Sequence, residues 1–199
     1  STGIRGQQGP INAPTVLNSS LNFVQFWDGR AATLEEQAAG PVANPLEMGA
    51  VWDDVVRTLA ADEALVASFR EVYGESGVTQ ANITNAIAEY ERSLLTPSRY
   101  DRFLAGDRSA LTEAERQGLD TFVQVGCTAC HRGPGVGGTM YQRMGLVRSY
   151  FELRGGELTD ADMGRFGQTH VESDRHMFKV PMIGNVALTA PYFHDGSRE

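Results

Sequence analysis

Apolar residues recur at helical spacing through the first half of the chain. Trp52, Val55, Val56 and Leu59 stand at i, i+3, i+4 and i+7, which predicts a helix with one buried face. Leu65, Phe69 and Val72 continue that spacing, and Gly74 is placed as a C-terminal stop. Ile83, Ala86, Ile87, Tyr90 and Leu94 mark a third amphipathic helix, ended by Pro97. Before these, Thr33-Leu34-Glu35-Glu36 reads as a capping box opening a short helix that ends near Gly40-Pro41. Thr112-Glu113-Ala114-Glu115 is a second box, and its helix runs through Leu119, Phe122 and Val123 to Gly126. The rest lacks periodicity. Residues 1–32 are rich in Gly, Pro and Asn, and the stretch from Thr96 to Arg108 is polar and turn-rich. After His131 the chain is loop-like, with glycines at 133, 135, 137 and 138. Such glycines let backbone approach a flat ligand, and a plain surface loop is an equally good reading. No internal repeat and no convincing sheet is visible. The expectation is a mainly α protein with long loops.

Composition narrows the function classes. A chain of 199 residues suggests one or two domains, and 41% hydrophobic content can bury a real core. The net charge of −8 argues against a nucleic-acid partner, which calls for a basic patch. No apolar run approaches a membrane span, and no signal peptide stands at Ser1. Ser1-Thr2-Gly3 opens in a Gly-rich loop and Ser197-Arg198-Glu199 stops just after a turn, so the ends read as cut.

Cys127-Thr128-Ala129-Cys130-His131 carries the strongest chemical signal. C-x-x-C-H is the attachment signature of a c-type haem: the thiols add across the vinyl groups and the histidine becomes the proximal iron ligand. A redox disulfide or half of a zinc site are the alternatives. These are the only two cysteines, and no βαβ pattern surrounds them, which weighs against both. Covalent haem is installed outside the cytoplasm, so a periplasmic location is expected. His170 and His176 read as surface residues, and His194 as a local hydrogen-bonding group. Met140, Met144, Met163, Met177 and Met182 include candidate axial ligands, most of them core filler.

Four further segments carry a resemblance. They are Gly9-Pro10-Ile11-Asn12-Ala13-Pro14-Thr15-Val16, Gln25-Phe26-Trp27-Asp28-Gly29-Arg30-Ala31, Leu34-Glu35-Glu36-Gln37-Ala38 and Leu188-Thr189-Ala190-Pro191-Tyr192-Phe193-His194-Asp195-Gly196. With the C-x-x-C-H motif they resemble the bacterial di-haem cytochrome c peroxidases over nearly the whole chain. The resemblance implies two cytochrome c-like haem domains with long loops, the first incomplete in this chain. Residues 1–106 would be the remainder of the N-terminal peroxidatic haem domain, and residues 107–199 a truncated C-terminal electron-transfer haem domain. The single C-x-x-C-H matches the second haem, and the motif for the first would lie upstream of Ser1. The family's distal histidine is matched here by Ile4, and its methionine ligand to the second haem would lie past Glu199.

The resemblance also implies roles. Glu47 matches the catalytic glutamate, a carboxylate suited to moving a proton between peroxide oxygens, and Gln37 the amide lining the same pocket. Taken alone, Glu47 could sit in a solvated turn. Trp27 matches the tryptophan between the haems, where a core anchor is the plainer role. Lys179 matches an inter-haem position, against the plainer reading of an exposed lysine. Asn12, Thr189 and Pro191 match a calcium site of amide and carbonyl oxygens, with a turn-capping Asn12 as the alternative. The implied function is reduction of hydrogen peroxide by a small periplasmic donor, a cytochrome c or cupredoxin, with haem c and Ca2+ as cofactors and a homodimer as one assembly. Two other readings compete: a non-enzymatic electron-transfer cytochrome, and a methylamine-utilisation-type di-haem enzyme oxidising a protein substrate.

Overall fold

The computed structural model describes residues 2–199 and is mainly helical. Residues 2–33 form an extended loop with two 3-10 turns. Five helices follow: α1 (Leu34–Ala43), α2 (Trp52–Leu59), α3 (Glu63–Tyr73), α4 (Gln80–Ser93) and α5 (Arg99–Leu104). Next comes α6 (Glu113–Gln124), then a glycine-rich loop and the short helices α7 (Tyr150–Arg154) and α8 (Phe166–Thr169). Among the described residues no helix is long and apolar enough to cross a membrane.

Local sequence explains most helix starts. Thr33 Oγ1 accepts from the Glu36 amide at 3.2 Å, while the Glu36 carboxylate takes the Ala32 amide at 2.7 Å, so the return half of the box falls one residue early. Both halves of the second box form: Thr112 Oγ1 accepts from the Glu115 amide, and Glu115 accepts from the Thr112 amide at 2.8 Å. Gly74 and Gly126 end α3 and its counterpart α6 with positive φ, as expected for glycine.

Four expectations need correction. Helix α1 runs past Gly40-Pro41 to Ala43, because buried Val42 holds its last turn in the core and accepts the Ala50 amide at 2.8 Å. The turn-rich stretch after Thr96 contains α5, capped reciprocally by Ser98 and Asp101. The inward faces differ too: α4 buries Ile83, Thr84, Ala88 and Glu91 and leaves Ile87 and Tyr90 exposed, and α3 leaves Val72 exposed. Fully buried Ala88, with Ala38 on α1, lets these two helices approach closely, and that packing decides the rotation. The face of α2 is only half buried. Finally, a small sheet exists: β1 (Tyr141–Arg143) pairs antiparallel with β2 (Met177–Lys179), Tyr141 opposite Lys179. Strands of three residues are too short to show alternation.

The long N-terminal loop ties the halves together. Phe23 N–H donates to Gly138 O at 2.8 Å, Lys179 N–H to Trp27 O at 2.8 Å, and Asn12 N–H to His194 O at 2.8 Å. Gln168 Nε2 reaches Asp28 at 3.0 Å. Gly138 has φ +71°, and a Cβ there would lie 2.4 Å from Asn22 Oδ1, so the close crossing requires glycine. Behind this junction lies a charged core. Fully buried Asp162 accepts from Arg154 at 2.7 and 2.9 Å, from the Thr159 amide at 2.8 Å, and pairs with His194 Nε2 at 2.7 Å. Burial by itself would raise the Asp162 carboxyl, but Arg154, Thr159 and His194 hold it well below the usual range. His194 is thus a local hydrogen-bonding group. His176 is half-buried rather than at the surface, its Nδ1 2.7 Å from Asp162 O.

Candidate functional site

Helix α6 delivers the C-x-x-C-H motif. It ends at Gly126, a 3-10 turn follows over Cys127–Ala129, and the His131 amide closes back on Cys127 O at 2.9 Å. Both thiols are free and half-buried. His131 Nδ1 lies 3.2 Å from Val136 O, which fixes the tautomer and leaves Nε2 available. The imidazole borders a mostly apolar cavity of about 750 Å³ lined by Leu21, Tyr100, Leu119, Phe122, Met182 and Ile183. Free thiols, a braced imidazole and apolar walls fit a haem c. Met182 is the sole methionine of the five candidates on this cavity's wall, and its sulfur packs where a Gly135 Cβ would stand.

A second cavity of about 710 Å³ gathers residues distant in sequence. Glu47, Gln37, Trp27, Lys179 and Asn12 all line it, together with Ile4, Phe26, Arg30 and Glu91. Asn44 Nδ2 donates to Glu47 Oε1 at 2.8 Å, and the Ile4 amide donates to Glu47 O at 2.6 Å. Glu47 is half-buried and held, not loose in a solvated turn. Phe26 has φ +66°, rare for a bulky residue, and Arg30 stacks 3.5 Å over its ring while pairing with Asp28 at 3.0 Å. Trp27 is buried, donates from Nε1 to Asn12 O at 2.9 Å and meets Phe178 edge-on. It is a core anchor that also faces the cavity.

One 3-10 turn separates the cavities. Asn18 and Leu21 face the His131 side, Ser19 and Asn22 the other. Lys179 is buried, contrary to the plain reading of a surface lysine, and its Nζ donates to Asn22 Oδ1 at 3.0 Å. Burial pulls its pKa down to about 8. Burial pushes Glu91 up against the opposing field of Arg92. Ser19 Oγ and Glu91 Oε2, both buried, have no hydrogen-bond partner among the described residues. A cavity walled by such atoms suits a group carrying its own polar edge.

Asn12 and Pro191 also come together. Asn12 Nδ2 donates to Pro191 O at 2.7 Å and Phe193 O at 3.2 Å. Turning the amide over would present Oδ1 beside those carbonyls, the oxygen set a calcium ion takes. Thr189 forms no side-chain hydrogen bond with either among the described residues. Sequence reasoning missed Ser19, Asn22, Glu91 and Val136, and gave Phe26 and Arg30 no role although both lie in a segment that carries the resemblance. They sit in stretches read as loop or on a helix face, and no local signal marks them as cavity walls.

Known proteins similar to this chain identify its family. A family model described as di-haem cytochrome c peroxidase matches residues 1–109. The cytochrome c551 peroxidase of Nitrosomonas europaea is 48% identical over 197 residues, 98% of this chain and 57% of the relative. The cytochrome c peroxidase Ccp of Escherichia coli is 48% identical over 198 residues, 98% of this chain and 42% of the relative. This chain therefore spans about half the length of these relatives. A crystal structure of a MauG-like protein associated with microbial copper homeostasis superposes with a TM-score of 0.85 at 30% identity, covering 100% of this chain and 62% of that one.

Proposed function

The chain belongs to the di-haem cytochrome c peroxidase family, and from that premise we propose that it forms part of a periplasmic enzyme that reduces hydrogen peroxide to water. The observation that carries the proposal is the convergence of Glu47, Gln37, Trp27 and Lys179 on one cavity while His131 borders another. The peroxidase-named relatives at 48% identity, against 30% for the MauG-like structure, favour peroxide over a protein substrate.

In this reading Cys127, Cys130 and His131 hold one haem, and the second cavity takes another. The 199 residues contain a single C-x-x-C-H, so the cysteines for the second haem come from outside them. When bound, the two haems would supply an iron for peroxide and a store for donor electrons. Glu47 carries the acid–base work: its carboxylate accepts a proton from the nearer peroxide oxygen and returns it to the departing one. Asn44 orients that carboxylate through its 2.8 Å bond. Gln37 and apolar Ile4 line the same cavity. Trp27 and Lys179 stand on the side of the partition, where electrons cross. Residues 1–106 act as the peroxidatic part and residues 107–199 as the electron-accepting part. Asn12, Pro191 and Thr189 hold calcium across their junction. A small cytochrome c or cupredoxin serves as donor, and a homodimer is the assembly to test.

In the holoprotein, Glu47→Ala should lower peroxide turnover by about 10²–10⁴-fold, the range of a lost proton-transfer group. The absorption spectrum of the His131 haem should not change. Turnover within a few-fold of the wild type would reject the role.

A further inference from the structure

Among the described residues two cations line the second cavity, and only one has a counter-ion. Arg30 is paired with Asp28 at 3.0 Å. Lys179 is 6% exposed, lines the cavity, and has the neutral amide of Asn22 as its one hydrogen-bond partner among the described residues. A buried ammonium without an anion is costly and is normally paired. Ser19, 5% exposed, stands one 3-10 turn from Asn22, and its Oγ has no partner among the described residues. The same turn therefore offers the cavity a hydroxyl, and Asn22 at its end holds a lysine that has no anion among the described residues. Both are donors, and together they fit a carboxylate.

We propose that Lys179 and Ser19 form the carboxylate-anchoring end of the second cavity, and that they bind a propionate of the haem placed there. This rests on the reading that the second cavity holds a haem. Lys179 then acts as a positioning residue: it fixes the rotation of the macrocycle about its normal and adds a positive charge at its edge. The partition gives this charge a second consequence. Lys179 Nζ is bonded to Asn22, which flanks the 3-10 turn parting the two cavities, so the anchoring end of the second cavity lies at that partition. The depressed pKa of about 8 belongs to the lysine without its anion, and a carboxylate partner would draw it back up.

The test uses the holoprotein, with Lys179→Met, Lys179→Arg and Ser19→Ala. Haem content is counted first by pyridine haemochrome assay. One haem per wild-type chain would remove the occupied second cavity itself, and the inference with it. With two haems counted, resonance Raman spectra of the propionate-bending region and a redox titration are recorded. The bending band of the second haem should shift in Lys179→Met and, less, in Ser19→Ala. Its reduction potential should fall in Lys179→Met, because a lost cation favours the ferric charge. Lys179→Arg should restore both, and the His131 haem should be unmoved throughout. Two haems with an unshifted band and potential in Lys179→Met would overturn the inference while leaving the occupied cavity standing. If Lys179→Met is not recovered folded, Ser19→Ala decides by the same band, shifted in support or unshifted against.

Discussion

At Lys179 burial works against the charge, and the effect on stability has a definite sign. Without a counter-ion its pKa is about 8, below the unfolded value of about 10.4. Between those two pH values the unfolded chain binds more protons at this site, so stability rises with pH across that window. In the chain free of the second haem, wild type should therefore gain stability relative to Lys179→Met between about pH 8 and 10.4, followed by urea unfolding at each pH. A flat difference would mean that the ammonium is paired or wet. Gly138 shows a backbone constraint at the same place. With φ +71° and Asn22 Oδ1 2.4 Å from an added Cβ, Gly138→Ala should cost more than about 1 kcal/mol, read from the shift in denaturant midpoint. Of these residues, Lys179 is marked in sequence only through family resemblance, and Gly138 as one glycine among several. Their partners come from segments far apart along the chain.

Helices divide by how local their instructions are. Helix α6 was legible because a reciprocal box opens it, a glycine in the left-handed region closes it, and both signals lie within the helix's own neighbourhood. Thr112→Ala should destabilise the protein by about 1 kcal/mol in urea unfolding. Because Thr112 touches neither cavity, haem attachment at Cys127 and Cys130 should be unaffected, checked by mass of the denatured protein. In α4 the element was legible and its inward face was not. Apolar Ile87 and Tyr90 outvote Thr84 and Glu91 in any hydrophobicity pattern, yet the helix turns its small side chains to α1. The three-residue strands β1 and β2 lie below the length at which a period can be read.

On the scale of the whole molecule, charge and cavities couple distant segments. Asp162 draws together Arg154, Thr159 and His194, and Asp195 shares Arg154 at 3.0 Å. Asp162→Ala should cost about 3 kcal/mol, since it leaves fully buried His194 and the Thr159 amide without their acceptor, while half-buried Arg154 keeps Asp195. The native carboxyl is held below the usual range, so its contribution is complete above the ordinary carboxylate pKa of about 3.9 and is lost as pH falls below it. The stability gap between wild type and variant should narrow progressively as pH falls below about 3.9, followed by urea unfolding at each pH. The two-cavity arrangement also predicts a division of labour. The 199-residue chain carrying only the His131 haem should cycle by one electron and show little specific peroxide turnover, measured with peroxide and a reduced donor cytochrome. Turnover equal to that of the holoprotein would place catalysis at His131. Chelation of calcium should slow the holoprotein without releasing haem, and metal analysis of active protein that finds none would reject that site.

The chain by itself determined its mainly helical character, the caps of α1 and α6, and the C-x-x-C-H motif with its histidine, because each is written within a few turns of backbone. Resemblance of whole segments added Glu47, Gln37 and Trp27 as candidates. Only the tertiary structure decided that these residues, Lys179 and Asn12 line one cavity, and that a single 3-10 turn parts it from His131. It also decided that Lys179 is buried on the same cavity as Ser19, whose Oγ has no partner among the described residues. The reason is physical: a cap or a period is set by neighbours in sequence, whereas a cavity wall is set by which loops cross and how closely. At Asn12 and His194, and at Trp27 and Lys179, those crossings are made by backbone hydrogen bonds that any residue with an amide N–H could form, so they leave no mark in the sequence.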